Sequence, residues 1–117
     1  MRVIEASTLP AHPVGQFGSV GFFVALAGAA VHAVVARLEP GGRIGRHPAV
    51  VDQALVVLAG DAVVSGHDDV RVEASVGQVV IWTAGEDHET HTSHGLTALI
   101  LEAEGLGDAF VAEGPRS

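Results

Sequence analysis

Short segments rich in Val, Ile, Leu and Ala follow one another along most of the chain, each cut by glycine, proline or polar residues, and none carries a long apolar period of 3.6 residues. This pattern predicts an all-β protein. The expected strands are Val3–Glu5, Val20–Leu26, Val31–Leu38, Arg43–Ala49, Gln53–Leu58, Ala62–Ser65, Arg71–Ala74, Gln78–Trp82, His88–Thr92 and Leu96–Glu102. Between them stand turn-forming stretches: Ala27-Gly-Ala, Pro40-Gly-Gly, Ala59-Gly-Asp, Gly66-His-Asp-Asp, Gly77, Ala84-Gly-Glu-Asp and His94-Gly. Many short strands at close spacing favour a sandwich or closed barrel, because either leaves few unpaired edges. The tail over Leu106–Ala112 is expected to form one short helix.

Composition narrows the class. At 117 residues the chain is expected to be one domain spanning 1–117, with no internal boundary. Hydrophobic residues make up 48% and charged residues 17%, too apolar for disorder, while the apolar runs stop short of the ~18 residues a membrane helix needs. A net charge of −8 argues against a nucleic-acid partner. With no cysteine, a metal has to be held by histidine and oxygen donors. The N-terminus lacks the apolar stretch of a secretory signal, which leads to an expectation of a cytoplasmic protein.

Seven histidines are present, and His47 and His88 are the informative pair because each follows a Gly-containing approach: Pro40-Gly-Gly-Arg-Ile-Gly-Arg-His47 and Thr83-Ala-Gly-Glu-Asp-His88. A strand opened by such a turn presents its first inward side chain at a barrel mouth, where an ion or small ligand sits. Gln53 shares parity with His47, yet on one straight strand the two would stand ~20 Å apart. If both touch one centre, the chain has to reverse between Ala49 and Gln53.

These residues resemble the motifs of the cupin superfamily. The family's first motif, G-x5-H-x-H-x3,4-E-x6-G, is met by Gly41-x5-His47-x-Ala49-x3-Gln53-x6-Gly60, and the second, G-x5-P-x-G-x2-H-x3-N, by Gly77-x5-Thr83-x-Gly85-x2-His88-x3-Thr92. Every spacing fits. Ala49, Gln53, Thr83 and Thr92 depart from the usual His, Glu, Pro and Asn. The Gly45-Arg-His-Pro-Ala49 segment with Gln53 resembles a group of small single-domain cupins. The resemblance implies a double-stranded β-helix (jelly-roll) barrel, with motif 1 at about 41–60 and motif 2 at about 77–92, and a pocket at His47, Gln53 and His88.

Two functions are compatible with that resemblance. One is a metal-dependent enzyme acting on a small metabolite by oxygenation, isomerisation or decarboxylation, with His47, Gln53 and His88 holding Zn, Ni, Fe or Mn and no organic cofactor. The other is a binding or sensing protein that holds a small molecule without turnover. For His47 and His88 the plain alternative is a pair of barrel histidines bonded to each other, to water or to a carbonyl. Gln53 reads equally as a ligand or as an orienting hydrogen-bond partner.

The other residues receive lesser roles. Glu86 and Glu89 are expected to be solvated turn charges, with a supporting contact to His88 as the alternative. His91 is expected at the surface, His94 at the far end, His67 at a hairpin tip, and His32 as a hydrogen-bonded barrel histidine that could face the lumen; His12 has no assigned role. Arg37, Arg43 and Arg46 either recognise an anionic ligand or pair with Asp and Glu. Trp82 is expected in the core. Phe22 and Phe23 would face opposite sides of one strand, which leads to an expected homodimer that covers one of them.

Overall fold

The structure, a computed structural model, describes residues 1–8, 12–13, 23–24 and 32–109. Its strands are β1 (Arg2–Glu5), β2 (His12–Pro13), β3 (Phe23–Val24), β4 (His32–Leu38), β5 (Arg43–Pro48), β6 (Gln53–Ser65), β7 (Arg71–Ser75), β8 (Gln78–Trp82), β9 (Asp87–His91) and β10 (Leu96–Glu102), with a short helix α1 (Leu106–Ala109). The described pairings are all antiparallel. One sheet runs β1-β8-β6-β10-β4, while β5, β9 and β7 group with the second half of β6. No helix among the described residues is long and apolar enough to cross a membrane.

Two strands expected from the sequence, Gln53–Leu58 and Ala62–Ser65, are a single strand here, and the Ala59-Gly-Asp break does not end it. Gly60 takes φ +81, and the register against β10 slips by one residue between Thr97 and Ala98. The bulge and the positive φ bend the chain without ending its hydrogen bonding. Residues 53–60 pair with β10, and residues 61–65 pair with β7 and β9. The strand thus crosses from one wall of the barrel to the other.

The interior is filled by alternate residues of several strands, including Leu55, Val57, Val64, Val80, Trp82, Leu96, Ala98 and Ile100. The opposite face of β8 and β6 is covered as well, with Ala54, Val79 and Ile81 packed with Leu106. Burial on both faces explains why β8 reads as an unbroken Val-Val-Ile-Trp run rather than an alternating one. The tail helix forms over Leu106–Ala109, and the rest of its expected span lies outside the described residues.

Asp52, the residue before Gln53, fastens this packing. Its carboxylate accepts from the Ala84 amide and the Gly107 amide, each at 2.9 Å, and its carbonyl accepts from the Ala103 amide at 3.2 Å. One side chain therefore ties the β8–β9 turn and α1 to the start of β6. Of the expected strand Val20–Leu26 only Phe23–Val24 is described, paired with His12–Pro13. The side chains of His12, Phe22 and Phe23 lie outside the described residues, and so does the argument for a dimer that rested on the two phenylalanines.

Candidate functional site

His47 and His88 come from adjacent strands and stand directly opposite each other in the β5–β9 ladder. A local irregularity puts His47 there. Ile44 pairs with Thr90 and His47 with His88, so β5 spends one more residue than β9 over this interval. Ile44 packs on the core, and strict alternation would turn Arg46 inward and His47 outward. The extra residue reverses the parity: His47 faces its partner, while Arg46 reaches Asp69 at 3.3 Å and the Gly66 carbonyl at 3.0 Å.

The two imidazoles are in contact, with ring centroids 4.4 Å apart. His88 also packs against Trp82 at 4.6 Å. Trp82 is fully buried, and its Nε1 donates to the Ser65 carbonyl at 3.1 Å. The expected core tryptophan is thus also the wall of the site. Its cross-strand neighbour on β6 is Gln53, which shares the interior-facing parity of Leu55 and Val57 and is itself buried. His47, at the rim, is exposed, whereas His88 is 2% exposed.

Both histidines use the same local device. His47 Nδ1 lies 2.7 Å from the Gly45 carbonyl, and His88 Nδ1 lies 3.2 Å from the Glu86 carbonyl, in each case two residues back along the chain. A carbonyl only accepts, so Nδ1 carries the proton and Nε2 keeps its lone pair. His88 Nε2 is buried with no hydrogen-bond partner, and it alone has that status among the buried side-chain polar atoms described. Burial is the main reason the His88 pKa lies below the ordinary 6.5; the neighbouring His47 pushes the same way, and the bond to the Glu86 carbonyl opposes both. The ring is therefore neutral at neutral pH.

This chemistry fits a divalent ion or another lone-pair acceptor. Metal-ligating histidines commonly donate their second ring N–H to a carbonyl, which fixes the tautomer and frees the other nitrogen. The donor set is sparse, however. Among the described residues no three or more of His, Cys, Asp and Glu gather closely enough to hold an ion. Ala49 supplies no donor, and the Gln53 amide oxygen is a neutral third candidate.

Glu86 departs from the expected solvated charge. Its carboxylate takes the Met1 ammonium at 2.7 Å, the Thr83 amide at 3.1 Å and the His67 amide at 3.3 Å. Burial raises its pKa, but these donors and the ammonium charge outweigh it and leave the pKa below the ordinary 4.5. Its support of His88 comes through the backbone carbonyl and not the carboxylate. His94 sits at the opposite end of the barrel, 3.2 Å from Asp61, beside a surface cleft of about 600 Å³ lined in part by Arg37, Glu39 and Thr97. That cleft does not include His47, Gln53 or His88.

A carboxylate at the mouth was missed in the sequence. Glu102 continues the inward row Leu96, Ala98, Ile100 of β10 and stands opposite Gln53 on one side and His32 on the other. Its Oε2 lies 3.6 Å from His32 Nδ1. His32, weighed as a lumen residue, lies on the inward row of β4 with Ala36 and Leu38 but remains exposed at the rim.

No protein-family model matches the sequence, and no curated protein matches it. Solved structures share the fold. An RmlC-like cupin family protein with a double-stranded β-helix fold from Methanocaldococcus jannaschii aligns with TM-score 0.60 at 15% identity, over 67% of this chain and 73% of that one. A conserved protein of unknown function from Streptococcus pyogenes aligns with TM-score 0.60 at 22% identity, over 67% and 68%. A predicted oxalate decarboxylase from Thermotoga maritima aligns with TM-score 0.55 at 22% identity, over 59% and 62%. The fold is the cupin-type double-stranded β-helix.

Proposed function

We propose that the protein holds a divalent metal ion at the barrel mouth through Nε2 of His47 and Nε2 of His88, with the Gln53 amide oxygen as third donor, and uses it to bind and transform a small metabolite. The buried, partnerless Nε2 of His88 carries this reading, since leaving such a group unsatisfied costs about 1–3 kcal/mol that a ligand would recover. A bound ion supplies Lewis-acid polarisation of a substrate oxygen. The chain's own residues do the rest. Trp82 backs the His88 ring, the Gly45 and Glu86 carbonyls hold both imidazoles in the productive tautomer, and exposure of His47 leaves one side of the pair open to ligand.

Oxygenation, isomerisation and decarboxylation are the reaction types proposed, and the Thermotoga maritima neighbour, a predicted oxalate decarboxylase, supports small-acid chemistry on this fold. The second reading is binding without turnover, favoured by Ala49 and Gln53, which leave the site short of a donor and of a carboxylate. Calorimetric titration with Zn²⁺, Ni²⁺ and Mn²⁺ tests the site common to both. Binding should saturate at about one ion per chain and weaken as pH falls through the imidazole range, because protonation removes the lone pair. A titration without heat for all three ions would overturn the metal reading.

The proposed partner is a second copy of the chain. Val35 and Leu99 are in register across the outer face of β4 and β10, and Val35 is 63% and Leu58, on β6, 47% exposed. Burying such a row on association is favourable. Light scattering at micromolar concentration should give twice the 11.9 kDa chain mass, and a mass of 11.9 kDa would exclude the dimer.

A further inference from the structure

We propose that the barrel mouth, with no ion in it, binds an uncharged cyclic amide or cyclic urea through three neutral side chains, Gln53, His88 and Thr90. The inference rests on the second reading above, binding without turnover, and adds Thr90 and a class of ligand to it.

Hydrogen-bond accounting makes the case. Gln53, His88 and Thr90 are only 8%, 2% and 2% exposed. All three belong to inward-facing rows. Gln53 continues the row of Leu55 and Val57 on β6, and Thr90 is registered on the core residue Val64. His88 stands two residues before Thr90 on β9 and so shares its side of the strand. Trp82 is the common neighbour at the mouth: Gln53 is its cross-strand partner, and the His88 ring lies 4.6 Å from its indole. Among the described residues, the Gln53 amide, the Thr90 hydroxyl and His88 Nε2 have no hydrogen-bond partner. Of the three groups, only His88 Nε2 is also sealed from solvent, so the amide and the hydroxyl open on space that a water or a ligand enters. Buried polar groups in native proteins are overwhelmingly paired, and three unpaired ones on inward rows mark a place whose partner comes from outside.

The same three groups select the ligand. His88 Nε2 accepts, because Nδ1 holds the proton; the Gln53 carbonyl accepts and its NH₂ donates; the Thr90 hydroxyl does either. Their complement is a carbonyl flanked by N–H donors. One N–H meets His88 Nε2, another the Gln53 carbonyl oxygen, and the ligand carbonyl takes the Gln53 NH₂ or the Thr90 hydroxyl. A charged ligand finds no counter-charge. Among the described residues no carboxylate joins His47 and His88 in a group of three. Glu86 is taken by the Met1 ammonium and two amides, Asp52 by the amides of Ala84 and Gly107, and Arg46 by Asp69 and the Gly66 carbonyl. Glu102 lies against His32, on the strand away from Gln53. Bringing an unpaired charge into this corner costs far more than bringing in a neutral amide whose hydrogen bonds to water are replaced.

Proton–nitrogen NMR titration of isotope-labelled protein tests this with ethyleneurea, N,N′-dimethylethyleneurea and acetate as probes. The protein is kept metal-free with EDTA, which separates the outcome from that of the metal titrations. Ethyleneurea should saturate with a Kd of about 1 mM or tighter and shift the Gln53 side-chain NH₂ and Thr90 amide signals. The dimethyl compound has the same ring and carbonyl but no N–H, and should bind roughly tenfold more weakly or worse because His88 Nε2 stays unmet. Acetate should leave the signals in place. Thr90→Val and Gln53→Met should each weaken ethyleneurea roughly fivefold or more. Thermal melting checks folding, and Thr90→Val should melt no lower than the wild type, since an unpartnered hydroxyl gives way to a methyl of the same shape. Equal binding of ethyleneurea and its dimethyl derivative, tighter binding of acetate, or unchanged affinity in both variants overturns this inference and leaves a small-molecule site standing. No shift at the barrel mouth with any of the three probes overturns the inference together with the binding reading beneath it.

Discussion

Gly60→Ala should destabilise the protein by roughly 4 kcal/mol or more, a large share of the about 5–15 kcal/mol that holds a typical domain folded. A Cβ at this position would stand 2.1 Å from the Gly95 carbonyl oxygen and 2.9 Å from its carbon, and φ is +81. The positive φ alone costs an alanine roughly 1–2 kcal/mol. The clash adds more because the obstacle is backbone. Gly95 O accepts from the Asp61 amide at 3.3 Å, and Leu96 is registered on Gly60, so neither chain can retreat without breaking the crossing of β6 between the two walls. Gly77→Ala is the matched control: φ is +92, but nothing lies within 4 Å of its Cβ. It should lose only about 1–2 kcal/mol. Urea denaturation of the two variants compares them, and equal losses would contradict the close approach of Gly60 and Gly95.

Strand content was legible where local chemistry decides it. Gln78–Trp82 and Leu96–Glu102 form over the spans expected from their apolar runs and flanking glycines. The continuity of β6 was not legible, because Ala59-Gly-Asp carries the same turn residues whether the chain ends a strand or bends between two sheets. The facing of His47 and His88 rests on a bulge that undoes simple alternation; Gly45 within it was the available signal. Glu102 was missed for a different reason. Its place at the mouth follows from pairing with Gln53 and His32, both far away in sequence, and no local spacing encodes it. Glu86 was misread as solvated because its principal donor is the ammonium of Met1 at the other end of the chain.

His88→Phe should abolish metal binding and leave the metal-free protein as stable as the wild type or up to about 2 kcal/mol more so, since removing an unsatisfied buried group by an apolar one of similar shape is neutral or favourable. A phenyl ring keeps the packing against His47 and Trp82. The Glu86 carbonyl loses the His88 Nδ1 donor but still accepts from the Ala49 amide at 3.0 Å. The acid behaviour should change in parallel. The His88 pKa is lowered in the folded protein by burial, so below the ordinary 6.5 the unfolded chain takes a proton that the folded one refuses. Wild-type stability is therefore full above that pH, falls as pH drops toward the folded pKa and then levels off. His88→Phe should lack this component. A loss of stability in the metal-free variant at neutral pH would mean that His88 is a satisfied structural residue.

Metal analysis of protein purified without an affinity tag, followed by equilibrium dialysis against Zn²⁺, is the most direct test of the barrel-mouth site. The wild type should retain about one ion per chain and His88→Phe none, because a single imidazole and an amide do not hold an ion against water. Equal zinc in the two proteins, or none in either after dialysis, would contradict a metal centre built on His47 and His88.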